Sequence, residues 1–424
     1  MHDSYASTFP QIRLEDYEQY TGLETIDRIY KKLERLKDVH VTNISSTYYG
    51  GGVAELLSSV TLLMNSAGLD TGWRIIQGST DFFGITKKMH NALQGGPIHL
   101  TDRKKYLYEE IIYENALRNH ISHDFVIVHD PQPLPIIRHY KKHGPWIWRC
   151  HVDLSNPNPE LWEYLKQFIE MYDAVVVSIP QYRKKMKPPQ FCFMPAIDPF
   201  SIKNKVMTEE EIKERLDHYN IPTDLPLVVQ ISRFDKFKDP QGVIEAFGIA
   251  RKQVDATLVL LGAPATDDPE GAEFYNSLLR HQSERIIIMS QEDTALVNAL
   301  QQKAHVVLQK SVKEGFGLTV AEAMWKGTPV IGGNVGGIRY QIENGVNGYL
   351  VSGIEETAQR IVELIQNPDL RHRLGKNARK TVMQKFLLIR LVEEYVDILS
   401  SFETIYRTRS SVAFFDNPIG SDNR

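Results

Sequence analysis

A chain of 424 residues is too long for one ordinary hydrophobic core, so two domains are expected. A composition of 42% hydrophobic and 24% charged residues excludes a disordered or fibrous protein, and a net charge of -4 offers no basic field to nucleic acid. Two cysteines, Cys150 and Cys192, exclude a disulfide framework and a multi-cysteine zinc site, and fit a reducing compartment.

In chain order, short apolar runs alternate with amphipathic helical patterns. The first run, Val39–Ile44, leads to Gly50, Gly51 and Gly52 and then to a helix over Val53–Ala67. Glycines between a strand and a helix let the backbone approach a ligand, and the helix start offers free N–H groups to anionic or hydroxyl oxygens. The G-x-G-x-x-G fingerprint is absent, which argues against a dehydrogenase. Further buried strands are expected at Thr71–Gln77, Phe125–His129, Ile147–His151, Ala174–Ser178 and Gln190–Met194. His129 with Asp130, and His151 with Asp153, each occupy a strand end. Both loops point toward the same sheet edge and should open into the ligand cleft, so these four residues are candidate site residues, with His151 favoured for function over His129. His90 and His120 lack such a setting and are expected at the surface or in packing. Trp146, Trp148, Trp162 and Trp325 are expected in the core.

Pro195–Ser201 reads as an extended linker, and the charged stretch Lys203–Asp217 then opens a second series with a helix. Its strands are Leu227–Ile231, Thr257–Gly262, Arg285–Met289, His305–Gln309, Pro329–Gly332 and Gly348–Val351. Helices are expected at Pro240–Lys252, Asp293–Lys303 and Glu355–Gln366, with two closing helices over Asn367–Phe402. Alternation of this kind means doubly wound α/β domains with parallel sheets, whose ligands bind beyond the carboxyl ends of the strands. The expected domains are residues 1–197 and 198–385. A closing helix is expected over about 386–405, and a mobile tail over 406–424.

Two loops of the second domain carry the chemistry. After its first strand, Arg233 can fork across two phosphate oxygens while Lys238 adds a point charge, as a leaving diphosphate requires. Further on come Glu314, Gly315, Phe316, Gly317 and Leu318, then Glu322 on a helix. The glycine amides and the helix start suit phosphate. Eight residues of helix rise about 12 Å, more than the ~5–9.5 Å of a glycosidase pair, so the two acids are expected to hold separate hydroxyls. Asp267 and Asp268 read as a polar loop. No Asp-x-Asp motif occurs, so no metal site and no required cofactor is expected, with Mg2+ at most assisting.

Together Gly50–Gly52, His151, Arg233, Lys238 and the Glu314–Glu322 segment resemble the retaining GT-B glycosyltransferases of family 4, over about Leu14 to Leu399. Within them, the runs around His129–Pro133, Pro145–Ser155, Asn91–Gly95 and Glu314–Gly327 resemble trehalose synthases of the glycosyltransferring type. The resemblance implies a GT-B fold, with two Rossmann-like domains facing each other across a cleft and the closing helix packing back on the first domain. It implies transfer of glucose from a nucleoside-diphosphate glucose to free glucose, giving α,α-trehalose with retention. In this family the residue matching Glu314 contacts donor-sugar hydroxyls and the one matching Glu322 holds the ribose. Arg233 and Lys238 match the diphosphate clamp, the Gly315–Leu318 amides back the sugar and phosphate, and His151 faces the donor sugar. Gly51 and Gly52 lie across the cleft. One departure is Asp239, where the family has glycine; it is expected to face away as a helix N-cap, unless Lys236 is the clamp lysine. A retaining trehalose phosphorylase, a family 4 transferase with another acceptor and a nucleotide-sugar sensor remain as alternatives. The chain starts without a secretory pattern, and no apolar run approaches the about 20 residues of a membrane helix. A cytoplasmic protein is therefore expected, with small-molecule partners, no nucleic acid and no membrane, and with a homodimer allowed.

Overall fold

The computed structural model describes residues 12–48, 52–262 and 269–415. Gly50, Gly51, Asp267 and Asp268 therefore lie outside the described residues. Among the described residues are two sheets of six strands, every neighbouring pair parallel.

The first sheet comprises β1 (His40–Ser45), β2 (Asp70–Ile75), β3 (Phe125–His129), β4 (Trp146–Arg149), β5 (Ala174–Val177) and β6 (Gln190–Cys192). The second comprises β7 (Leu227–Ile231), β8 (Thr257–Gly262), β9 (Ile286–Ser290), β10 (Val306–Gln309), β11 (Val330–Gly333) and β12 (Tyr349–Val351). β-branched runs such as Val126-Ile127-Val128 and Val175-Val176-Val177 are buried at every position, as strands covered by helices on both faces must be.

Strand order places the chemistry. The first sheet runs β2-β1-β3-β4-β5-β6, so successive connections diverge between β1 and β3. The second runs β12-β11-β10-β7-β8-β9 and diverges between β7 and β10. A crevice opens at such a divergence, beyond the carboxyl ends of the two strands. The loops after β1, β3, β7 and β10 are among those read from the sequence as carrying ligands, while the His151 loop follows β4, the strand next to β3.

Where strand ends differ from expectation, a local bond explains it. β4 stops at Arg149 because the amide of His151 turns to Asp130 Oδ1 at 2.7 Å, away from the sheet ladder. The helix expected from Lys203 begins at Glu209, where Thr208 and Glu211 form a capping box. Ahead of it, Asn204 Nδ2 donates to the Asp198 carbonyl at 2.9 Å and holds a turn. The closing helix runs over Leu388–Phe415, so the start of the stretch read as a tail is helical, and 416–424 lie outside the described residues.

The chain crosses between the sheets twice, and the two crossings are bound together. The Ile197 amide donates to the Phe386 carbonyl at 2.8 Å, and the Leu388 amide to the Ile197 carbonyl at 2.9 Å. One hydrophobic cluster runs through this hinge and reaches both domains, from Val41 and Ile127 through Ile197 and Phe386 to Val229 and Val320. No helix among the described residues is long and apolar enough to cross a membrane.

Candidate active site

The second-domain side is built on the divergence of β7 and β10. Gln309 ends β10, and the loop after it carries Ser311 and Glu314 before the helix Leu318–Trp325. Gly317 closes the loop at φ 84°, a left-handed backbone that favours glycine, and caps the helix. Glu314 is buried, and its Oε2 accepts from Lys238 Nζ at 2.6 Å, Gln309 Nε2 at 3.1 Å and Ser311 Oγ at 3.1 Å. Burial pushes this carboxyl up, but the Lys238 charge and the three donors outweigh it and hold Glu314 below the usual carboxylate range.

The lysine reaching Glu314 is thus Lys238; Lys236 Nζ stays over the Phe237 ring, 5.3 Å from its centre. Asp239 faces away as expected. It sits at φ 48°, caps the helix Pro240–Ala250 through the Gly242 amide at 3.1 Å, and pairs with Lys310. Arg233 is partly exposed, 3.6 Å from Asp235, and lines an interdomain cavity with Lys87 and Asn91 of the helix Thr80–Leu93.

The carbonyls of the Glu314–Gly317 loop are tied by two side chains. Tyr182 of the first domain donates its hydroxyl toward the carbonyls of Glu314 and Gly315, at 2.9 and 3.0 Å. Gln341 donates to those of Phe316 and Gly317, at 2.6 and 3.2 Å. In a trans peptide the N–H points opposite to the carbonyl, so the amides of Gly315, Phe316, Gly317 and Leu318 each point away from the donor on their own peptide's carbonyl. The Phe316 ring itself is core, packed edge-on against Phe386 at 5.6 Å. Glu322, eight residues on, shares no hydrogen-bond partner with Glu314: Gln301 Nε2 donates to it at 3.3 Å, and Lys203 lies 3.7 Å away. The two acids hold separate stations, and no acid/base dyad forms.

The first-domain side is a relay across three strand ends. His129 and Arg149 are opposite one another in the β3–β4 register, which brings the following His151 beside His129. Their rings stack, with His129 Nδ1 3.0 Å from His151 Nε2, while His129 Nε2 is 3.0 Å from Asn43 Oδ1 at the end of β1. Asn43 Nδ2 faces the Gly72 carbonyl, so the hydrogen-bond network assigns Oδ1 as the acceptor toward His129. Burial first, then the Arg149 charge, drives His129 down to about 3 and His151 well below its ordinary value. Neutral His129 thus carries its proton on Nε2 and accepts at Nδ1 from His151 Nε2–H, which leaves His151 Nδ1 as a bare acceptor.

His129, read as a site residue, is buried with both ring nitrogens engaged by the protein, and supports His151 from behind. Asp130 Oδ1 accepts from the His151 amide, and burial pushes its carboxyl up to about 7. Asp153 accepts from the Ser155 amide at 2.7 Å and lines a second interdomain cavity with Tyr182, Lys313 and Arg339.

The two sides meet closely. A Cβ on Gly315 would lie 2.6 Å from the His151 carbonyl oxygen, so only glycine permits this approach. Gly52, which opens the helix Gly52–Ser66, lies against Leu318. His90, expected at the surface or in packing, instead sits in this cleft. Burial and then the charges of Arg233 and Lys87 push it down to about 3, with Lys238 adding to the effect. Lys87 is three residues away on the same helix, but Arg233 and Lys238 come from the second domain, and residue patterns do not show that meeting. His120 is exposed, and the four tryptophans are buried as expected. Cys150 is buried and pushed upward by burial, an unreactive thiol. Among the described residues no group of three or more His, Cys, Asp or Glu side chains is arranged to hold a metal ion.

Two parallel α/β domains, each with its functional loops at the strand divergence and facing the other, define the GT-B glycosyltransferase architecture. Sucrose-phosphate synthase from Thermosynechococcus elongatus has the same fold, with a TM-score of 0.66 at 19% identity over 88% of this chain and 100% of that one. Residues 43–184 match the family trehalose synthase, N-terminal domain, and residues 211–381 match glycosyl transferases group 1. Trehalose synthase of Thermococcus litoralis is 40% identical over 400 residues, 92% of this chain and 97% of the relative. The chain belongs to the trehalose synthase family of glycosyltransferases. A trehalose phosphorylase of Pleurotus pulmonarius is 26% identical over 80% of this chain and 54% of its own.

Proposed function

We propose that the protein moves glucose from a nucleoside-diphosphate glucose to free glucose and forms α,α-trehalose with retention at the anomeric carbon. The observation that carries this reading is the ionised Glu314 carboxylate, clasped by Lys238 at the β7–β10 divergence, with Arg233 after β7 and the His151 carbonyl against Gly315. In this reading Glu314 accepts from donor-sugar hydroxyls, and Glu322 from the ribose. The amides of Gly315 to Leu318 cradle the diphosphate and sugar, and Gly52 faces them from the first domain. Arg233 and Lys238 receive the charge that develops on the leaving diphosphate. His151 presents Nδ1 to a sugar hydroxyl, while His129, Asp130 and Asp153 shape the acceptor side.

As the bond from the anomeric carbon to the diphosphate oxygen breaks, the acceptor hydroxyl oxygen bonds to that carbon on the same face. Its proton passes to the departing phosphate oxygen. No enzyme nucleophile and no cofactor is needed, and the cations of the clamp serve where Mg2+ would otherwise assist. The partners are the two small substrates, with neither nucleic acid nor membrane, and the setting is the cytoplasm, in keeping with free Cys150 and Cys192.

Incubation with UDP-glucose or ADP-glucose plus glucose should yield trehalose and an equal amount of nucleoside diphosphate. Trehalose cleavage that requires inorganic phosphate and ignores nucleotide would replace this reading with that of a phosphorylase.

A further inference from the structure

Glu322 is nearly sealed from solvent, and its two oxygens have different neighbours. Oε2 accepts from Gln301 Nε2 at 3.3 Å. That amide is oriented from both ends, because Gln301 Oε1 accepts from Lys326 Nζ at 2.7 Å while its Nε2 faces the carboxylate. Oε1 faces Lys203 Nζ at 3.7 Å, an ion pair too long for a hydrogen bond. It therefore keeps its accepting capacity while a cation holds it in place.

Lys203 belongs to neither sheet. It lies in the turn after the first crossing, where Asp198 holds the neighbouring Asn204. Its closest partner is Glu55, whose two oxygens both lie 2.6 Å away. Glu55 sits on the helix Gly52–Ser66, so one ammonium bridges a carboxylate of each domain from a position beside the hinge. The Lys203 side chain is mostly buried, and the cation withdrawn from water is held between the two acids.

We propose that Lys203 is a positioning residue for ribose recognition, holding Glu322 Oε1 toward the ribose hydroxyls and tying it through Glu55 to the helix that begins at Gly52. This rests on the reading of Glu322 as the ribose holder. Replacement of Lys203 removes the cation on Oε1 and leaves Glu55 and Glu322 as facing like charges. The carboxylate then loses its aim, while the base and diphosphate contacts are untouched.

The test separates ribose from the rest of the nucleotide. Calorimetric affinities are measured for UDP and 2′,3′-dideoxy-UDP, with ADP and its dideoxy form in parallel, on the parent, Lys203→Met, Lys203→Arg and Glu322→Gln chains. The parent should prefer the ribonucleotide by about tenfold or more, the worth of one charge-assisted hydrogen bond. In Lys203→Met that preference should shrink to about threefold or less with dideoxy affinity unchanged, and Lys203→Arg should recover most of it. A Lys203→Met chain that loses affinity for both forms alike, or keeps the full preference, overturns the proposal. Lys203→Arg preserves the charge, so if Lys203→Met fails to fold, a folded arginine chain with no ribose preference overturns it instead. If Glu322→Gln keeps the full preference, the ribose reading of Glu322 fails first. A parent without preference for either ribonucleotide removes the basis of both.

Discussion

A carboxylate as buried as Glu314 persists as an anion because one ammonium and two neutral donors converge on the same oxygen. Remove the ammonium and the balance reverses. Lys238→Met should lower stability by about 3–5 kcal/mol, the cost of an uncompensated buried charge, visible as a lower urea midpoint. Adding Glu314→Gln to that variant should restore part of the loss, since an amide needs no counter-ion. Turnover should fall about 100-fold or more in either single variant. If Lys238→Met were as stable as the parent, this ion pair would not be what holds the carboxylate. The sequence made Glu314, Glu322, Arg233 and Lys238 legible because their spacing after strands is a local property. Gln309, Gln301 and Lys203 were not legible, because their importance comes from meeting those acids in space.

At the scale of elements, Asn43 of β1 and the residues at the ends of β3 and β4 form one polar cluster whose histidines stay neutral in the fold, as does His90 on the helix Thr80–Leu93. His90 and His129 are pushed down to about 3, against 6.5 for an ordinary imidazole, and burial holds His151 well below its ordinary value too. As pH falls below 6.5 the unfolded chain takes up protons that the folded chain refuses, so stability from these three groups is lost toward pH 3. Asp130 acts in the opposite sense: its folded carboxyl is raised to about 7 from 3.8, so it gains stability as pH falls across that window. Three protons against one leave a net loss. The unfolding temperature should drop from pH 6.5 to pH 4.5, and His90→Gln, titrated calorimetrically, should flatten the curve by about one proton. Equal slopes for parent and variant would place the His90 ring in contact with water. The strands themselves were legible almost to the residue, since fully buried β-branched runs bounded by turns have few other readings. What escaped was the company their ends keep: the Asn43–His129–His151 relay depends on strand order β1-β3-β4, which residue patterns do not contain.

The whole molecule is closed by the helix that returns from the second domain to the first. Leu388, Ile389, Leu391, Val392, Val396 and Leu399 are all buried to 1% exposure or less. Arg28 and Lys32 pair with Glu393 at 2.7 Å, and Arg390 donates to the carbonyls of Met194 and Pro195 at the hinge. The surface ion pairs add little, whereas six buried aliphatic side chains are worth roughly 9–18 kcal/mol at about 1.5–3 each. That matches or exceeds the net stability of about 5–15 kcal/mol typical of a folded domain. A chain ending at residue 387 should therefore expose the first domain's partner surface and aggregate. A chain ending at Thr404 keeps all six buried residues, both backbone bonds at the hinge and the Arg390 contacts, so it should melt within a few degrees of the parent and retain turnover. Scattering and calorimetry on the two truncations make the comparison. A soluble, cooperatively melting chain ending at 387 would mean that the two domains are stable without their shared helix. The hydrophobic cluster running through Ile197 and Phe386 argues the reverse: the core is continuous across the hinge, so removing the shared helix opens both domains' packing at once.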